Sequence, residues 1–374
     1  MNFERYLIDQ ALAHPATQPQ DIIKQCYQAA YGAEHLLSDM DRARNYMERE
    51  YASVAPNANT PLYEAISPQV CRVNLAAWKQ RNLPLEWLFR MFAATASISV
   101  DRRQATHQFL SYLDTADSLI QSSRLPIAFS ADQWTEVLFA YKRSEMTAVH
   151  HSDAYRQAEH PAYRILRRDF VRLLSILEAV ADRLKNTPQP MDPTICGRLP
   201  EPCIIAIDGR AASGKTTMAD QLAQILGCDV IRMDDFFLPP EMRTQKRLQA
   251  PGGNVHYERF AEEVLPHLRG SEVFSYRRFD CHVMDYNGQR QISASPIRIV
   301  EGSYSHHPAL GDYAHIKVFS HVDPEKQIDR IFHRNGPQMA NMFEARWIPM
   351  EEAYIQEYRI DTSSHIFIDS SDLF

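Results

Sequence analysis

The chain has 374 residues, too many for one core of ordinary size and about right for two domains. With 45% hydrophobic and 23% charged residues and a net charge of −7, it has the composition of a soluble globular protein, and its acidic balance excludes a general attraction to nucleic-acid phosphates or anionic lipid. The apolar stretch 87–100 is broken by Arg90, and the first twenty residues carry acids without an apolar core, so a membrane span and a secretory leader are not expected.

The six cysteines, at 26, 71, 196, 203, 228 and 281, form no Cys-x-x-Cys pair and several lie in apolar runs. Reduced, packing cysteines in a cytoplasm are the expectation.

Residues 1–187 read as an all-α domain. Ile22, Ile23, Cys26, Tyr27 and Ala30 recur on one side of a helix. Two further helices are expected within 85–100 and 131–143. Leu166, Phe170, Leu173, Leu174, Leu177 and Leu184 recur mostly at spacings of three, four and seven, which predicts one long helix over 163–184. Histidines at 35, 107, 150, 151 and 160 suggest caps, buried hydrogen bonds or an interface. The pattern His150-His151-x-Asp153 lacks the His-Glu-x-x-His spacing of a helical metal site. The role of this half is open: it could cover a substrate pocket, bind a partner or form a homo-oligomer.

Residues 186–202 hold five prolines in seventeen positions, and 188–202 reads as a linker. Beyond it, in 203–374, the period changes. Short β-rich runs at 203–207, 229–233, 297–300, 316–322 and 365–368 alternate with helical stretches near 215–226, 257–268, 324–334 and 347–359. Strands separated by helices predict an α/β domain, a parallel sheet with helices on both faces.

The first of these strands runs into Gly209-Arg210-Ala211-Ala212-Ser213-Gly214-Lys215-Thr216-Thr217. This matches Gly-x-x-x-x-Gly-Lys-[Ser/Thr] in the strand-to-helix context that the motif requires. Glycines let the backbone curl so that successive N–H groups point inward, and the helix that follows adds its positive end. Lys215 would reach the outer phosphates of ATP, and the Thr216 hydroxyl would be a ligand of Mg²⁺.

The acceptor of the phosphoryl group must be read downstream. Asp234 and Asp235 follow the second strand, where a carboxylate could take the proton of an attacking hydroxyl or could cap a turn. Glu301 ends a third strand, a position that suits Mg²⁺, directly or through water, or a plain loop acid. Arg330, His333, Arg334 and Arg346 form a basic segment, either a lid over phosphates or a solvated face.

In order along the chain, "GRAASGKTT", "VIRMDDFF", "GGNVHYERF", "YRRFD", "IVEGSYS" and "VDPEKQIDRIFHRNG" resemble the uridine kinase-like P-loop kinases over about residues 200–370. The resemblance implies an ATP- and Mg²⁺-dependent kinase acting on a hydroxyl of a small molecule such as uridine, cytidine or a related metabolite. It implies Asp234 as catalytic base, Lys215, Arg330 and Arg334 on the phosphates, and Thr216 and Glu301 at the metal. It places Asp234, His256, Tyr276 and Arg278 near the acceptor, the last two in a hairpin. His256 stands where similar proteins usually carry an aspartate, so uridine is less supported than kinase chemistry. The segments "YQAAYGAEHLL" and "HSDAYRQAEHPAYRI" look similar to an uncharacterised helical region fused to such kinases. Other readings are a nucleotide-binding regulatory or scaffold protein and a hydrolytic NTPase.

Overall fold

The computed structural model describes residues 2–33, 39–186 and 201–372. His35 and most of the proline-rich segment lie outside the described residues. The chain falls into two compact units, Met1–Val171 and Arg172–Phe374, each with its own core.

In the first unit the helices Phe3–Ala13, Pro19–Tyr31, Arg102–Gln121 and Ala131–Lys142 pack their apolar faces together. Leu7, Ile22, Cys26, Phe109, Leu113 and Trp134 form the centre of that core. The spacing is helical: Ala105, Phe109, Tyr112, Leu113, Ala116, Leu119 and Ile120 all lie on the buried side of one helix. Asp101 starts that helix by accepting the backbone N–H groups of Arg103 and Gln104.

The same unit also holds a small antiparallel sheet of three strands, β1 (Tyr63–Ala65), β2 (Val70–Asn74) and β3 (Tyr163–Arg167). The long helix expected over 163–184 is therefore divided. Its first residues pair with β2, Arg168–Leu173 make 3₁₀ turns, and the α-helix runs from Leu174 to Asn186. A periodicity of apolar residues cannot separate a short buried strand from a helical turn, and the backbone of β2 offers Tyr163–Arg167 hydrogen bonds that decide the matter.

In the second unit five strands form a parallel sheet in the order β10-β9-β4-β8-β5. They are β4 (Cys203–Gly209), β5 (Val230–Arg232), β8 (Ile297–Glu301), β9 (Ile316–His321) and β10 (Ile366–Asp369). Every residue of β4 is buried, as a central strand covered on both faces requires. All five β-rich runs read from the sequence became strands of this sheet.

Helix Lys215–Leu226 covers β4, β8 and β5 with Met218, Ala219, Leu222, Ile225 and Leu226. Helix Leu174–Asn186 packs on β9 and β4 and so belongs to this unit. An antiparallel hairpin, β6 (Phe274–Asp280) and β7 (Asp285–Ile292), stands apart from the sheet. No helix among the described residues is long and apolar enough to cross a membrane.

Candidate active site

A cavity of about 600 Å³ opens at the carboxyl ends of β4, β5 and β8, where ligands bind in open parallel sheets. Its floor is the turn after β4. Gly209 has φ +142°, and a Cβ there would lie 2.1 Å from the carbonyl oxygen of Ser320 on β9, so glycine is obligatory at this approach. Gly214, at φ +84°, starts the helix at Lys215. Ala211, Ala212, Gly214, Lys215, Thr216 and Thr217 line the cavity; Gly209, Arg210 and Ser213 do not.

The loop is fastened from three directions. Lys215 Nζ donates to the carbonyls of Gly209 and Arg210, both at 2.8 Å. The Arg210 side chain, expected on the nucleotide, instead makes a forked pair with Glu352 at 2.6 and 2.9 Å. Buried Asp208 accepts the backbone N–H groups of Gly209, Tyr304 and His306 and the hydroxyl of Tyr354. One carboxylate thus ties the root of the loop to the turn after β8 and to the helix Ile348–Tyr358.

Thr216 Oγ1 donates to Glu301 Oε1 at 3.1 Å, and Arg232 holds Glu301 Oε2 at 2.6 Å. Asp234 sits in a short 3₁₀ turn after β5 and lines the same cavity. Its side chain is exposed at the cavity, with protein walls on its flanks. Desolvation by those walls, and then the like charge of Glu301, push its carboxyl above the usual range, against the pull of Lys215.

No three of the His, Cys, Asp and Glu side chains among the described residues make a cage for an ion. One hydroxyl and two acids around the floor still suit Mg²⁺, which keeps several waters and takes much of its shell from phosphate oxygens.

Arg330 and Arg334, on the helix Pro324–Asn335, both line the cavity. Arg330 is braced by the carbonyls of Ser370 and Ser371 at 2.7 and 3.2 Å. Met339, Phe343 and Trp347, in the helical turns that follow, add an apolar wall.

The acceptor-side residues fall differently. Tyr276 is buried, and its hydroxyl accepts from Arg232 N and donates to Asp235. Arg278 is 3.6 Å from Asp235, which Arg290 also holds at 2.8 Å. Neither Tyr276 nor Arg278 lines the cavity, and nor does His256. His256 Nδ1 accepts the Arg259 N–H at 3.2 Å and caps the helix Tyr257–Glu263, work that an aspartate does equally well.

The residues that do face the cavity on this side are Phe237, Arg243, Asn254, Cys281 and Met284. Asn254 is buried, and its Oδ1 has no hydrogen-bond partner. Its signal in the sequence was adjacency to His256, in the same segment.

Glu351 was not foreseen either. It reaches from the helix Ile348–Tyr358 into the glycine-rich loop, where Oε2 accepts Ala211 N–H at 2.8 Å and Oε1 accepts the Ser303 hydroxyl at 2.7 Å. Burial holds its carboxyl above the ordinary range despite nearby Lys215. A carboxylate oxygen thus takes a loop N–H that could otherwise face a phosphate.

No family model matches the chain. Among solved structures, it is similar to a possible uridine kinase from Bacillus stearothermophilus at 18% identity, over 52% of this chain and 100% of that one, with a TM-score of 0.35. It is similar to a protein described as a fructose transport system kinase from a Silicibacter species at 18% identity, over 52% and 98%, with a TM-score of 0.41. For D-glycerate 3-kinase from Cryptococcus neoformans the values are 12%, 54% and 94%, with a TM-score of 0.38. Likeness at this level says nothing of substrate.

Proposed function

We propose that the second unit is an ATP-dependent kinase that transfers the γ-phosphoryl group to a hydroxyl of a small, nucleoside-like metabolite. One observation carries this reading: six residues of the glycine-rich loop, with Asp234, Arg330 and Arg334, line a single cavity. A phosphate cradle, a carboxylate with a raised pKa and two guanidinium groups are the parts that phosphoryl transfer to an alcohol needs.

In this mechanism the N–H groups of the loop and the Lys215 ammonium hold the polyphosphate. The acceptor hydroxyl lies in line with the γ-phosphorus. Its proton passes to Asp234 as the oxygen–phosphorus bond forms. The bond to the bridging oxygen breaks and ADP leaves. Asp234 is poised for this because its raised pKa makes it a stronger base than an ordinary aspartate. Arg330 and Arg334 offset charge on the transferring group. Mg²⁺, which neutralises phosphate charge when bound, would be held by Thr216 and, through water, by Glu301.

Asn254 and Arg243 are the polar groups of the acceptor wall, and Phe237 and Met284 its apolar surface. Asn254 Oδ1, buried and unpartnered, is suited to accept a hydroxyl hydrogen bond from the substrate. ATP as donor makes the cytoplasm the compartment we assign.

The test is ADP release by the full chain with ATP and Mg²⁺, over nucleosides, sugars, sugar phosphates and hydroxy acids. The reading requires at least one acceptor to raise ADP release well above the water background and to appear as its phosphate ester. ADP release that no acceptor changes would make the protein a hydrolase. Nucleotide binding with no turnover would make it a sensor.

A further inference from the structure

The first unit contains a separate cavity of about 900 Å³, lined among others by Lys24, Gln28, Glu50, His151, Tyr163 and Arg164. Four elements supply these six side chains: helix Pro19–Tyr31, helix Met40–Ser53, the stretch before Asp153, and β3.

Two cationic side chains, Arg164 and Lys24, meet here. Arg164 is 9% exposed. Its Nη1 pairs with Glu50 at 2.6 Å and donates to the Tyr163 carbonyl at 2.9 Å, while its Nη2 is buried without a hydrogen-bond partner. Lys24 Nζ donates to a neutral acceptor, the Val149 carbonyl, at 2.9 Å. Behind the wall, buried Arg72 is held by the amide oxygens of Gln28 and Gln10 and stacks over the Tyr163 ring at 4.8 Å. Amide oxygens satisfy its N–H groups, and Glu64, beyond Gln10, is the acid that feels its charge.

Two neighbours feel this charge. Burial, then Arg72, bring Lys24 down to about 8. Burial also brings His151 down to about 4, with Arg72 and Lys24 adding to the fall. The wall itself is rigidly wired. Asp21 Oδ1 holds His151 Nδ1 at 2.7 Å, which leaves Nε2 to accept the Tyr163 hydroxyl at 2.6 Å. Gln28 Nε2 donates to the same phenol oxygen at 3.2 Å. Acids do reach the cavity, but Asp39 and Asp41 stand exposed on its rim and Glu50 is engaged by Arg164.

We propose that this cavity binds the oxyanion group of a small molecule, a phosphate or a carboxylate, gripped by the free edge of Arg164 and by Lys24. A guanidinium presents a fork of N–H donors that matches either group, and a flanking ammonium adds a point charge. An oxyanion would satisfy the unpartnered Nη2 and add negative charge beside Lys24. Nothing in this inference rests on the kinase reading of the second unit.

The experiment uses the full chain carrying Lys215→Ala, so that the glycine-rich loop does not report on added phosphate. Acylation of Lys24 at pH 8 is followed by mass spectrometry at constant ionic strength, with inorganic phosphate in one series and acetate in another. Bound oxyanion raises the Lys24 pKa, and a rise of one unit from about 8 slows its labelling about fivefold. The protection is expected to vanish when Arg164→Gln is added. Protection by phosphate alone assigns a phosphorylated ligand, by acetate alone a carboxylate, and by both the shared chemistry. Labelling that neither anion changes, or protection that Arg164→Gln leaves intact, overturns the proposal. Should Arg164→Gln fail to fold, Lys24→Gln replaces it, read as loss of the rise in unfolding temperature that the protecting anion produces. An undiminished rise then overturns the proposal.

Discussion

Two cavities in this chain shift their ionisable groups in opposite senses. In the second unit burial raises acids: Asp234 and Glu351 both lie above the usual carboxylate range beside Lys215. In the first unit burial lowers bases: Lys24 falls to about 8 and His151 to about 4 around Arg72. Loss of water disfavours the charged form in each case, so the surrounding residue types decide what each cavity lacks. The first unit leaves one edge of Arg164 without a hydrogen-bond partner and Lys24 on a neutral carbonyl. The second sets acids against the glycine-rich loop, so under the proposed function it would need cations or proton transfer to take a polyphosphate.

The largest effect that would sharpen this contrast belongs to Lys215→Ala. Loss of the ammonium should cut phosphoryl transfer by about 10²–10³-fold and leave the Lys24 environment of the first unit unchanged by the labelling measurement. Equal damage to both would show that the variant disturbs folding generally.

The pH response of the first unit comes next. His151 has a folded value of about 4 against an ordinary 6.5, so the native state excludes a proton that the unfolded chain accepts. Stability from this group is full above pH 6.5 and falls as pH drops towards 4, by an amount on the order of 3 kcal/mol. Asp21, held low chiefly by its hydrogen bonds from His151 and Ser152 against the effect of burial, titrates beneath that window. Denaturant unfolding at pH 7 and pH 5 should show a larger loss in the wild type than in His151→Gln. An equal loss in the two proteins would show that His151 is not the group responsible.

On the acceptor wall of the second unit, Asn254→Ala should raise KM for the acceptor about tenfold, the value of one buried hydrogen bond. KM for ATP should stay within about twofold. His256→Ala serves as its partner: it removes a helix cap at about 1 kcal/mol of stability and should leave the acceptor KM alone. The reverse outcome would return His256 to the acceptor.

The smallest effect is expected from Glu351→Gln. The variant keeps the shape of the side chain but cannot carry a negative charge beside the glycine-rich loop, so nucleotide affinity should rise several-fold, about 1 kcal/mol. Calorimetric titration with ATP checks it, and weaker binding would mean that Glu351 helps to organise the loop for phosphate.

What could be read in advance follows from how local each constraint is. The glycine-rich loop is legible because its glycines, lysine and threonine are fixed by one continuous turn of backbone. The strands of the parallel sheet are legible because burial writes short apolar runs, on both faces of the central β4 and β8 and on one face of the edge strand β10. β3 is not, because its partner lies about ninety residues upstream and the Leu166–Leu177 spacing fits a helix equally well.

The acceptor wall is hidden for the same reason. Phe237 and Asn254 come from two separate segments and Cys281 and Met284 from the turn between β6 and β7, and reading in sequence favoured the titratable His256 over nearby neutral Asn254. Glu351 stands 140 residues from the Ala211 it contacts, and no local pattern marks it. The first cavity is the extreme case. His151 was expected to serve as a cap, a buried hydrogen-bond partner or an interface residue, and it makes buried hydrogen bonds; Arg72, Arg164 and Lys24 carry no motif.

The kinase reading turns on Asp234, and the direct measurement is its Asn variant assayed with an acceptor found by the ADP-release screen. Turnover should fall about 10²–10⁴-fold, while ATP affinity measured separately stays within about threefold. Near-normal turnover with intact nucleotide binding would contradict the assignment of Asp234 as the group that takes the acceptor's proton.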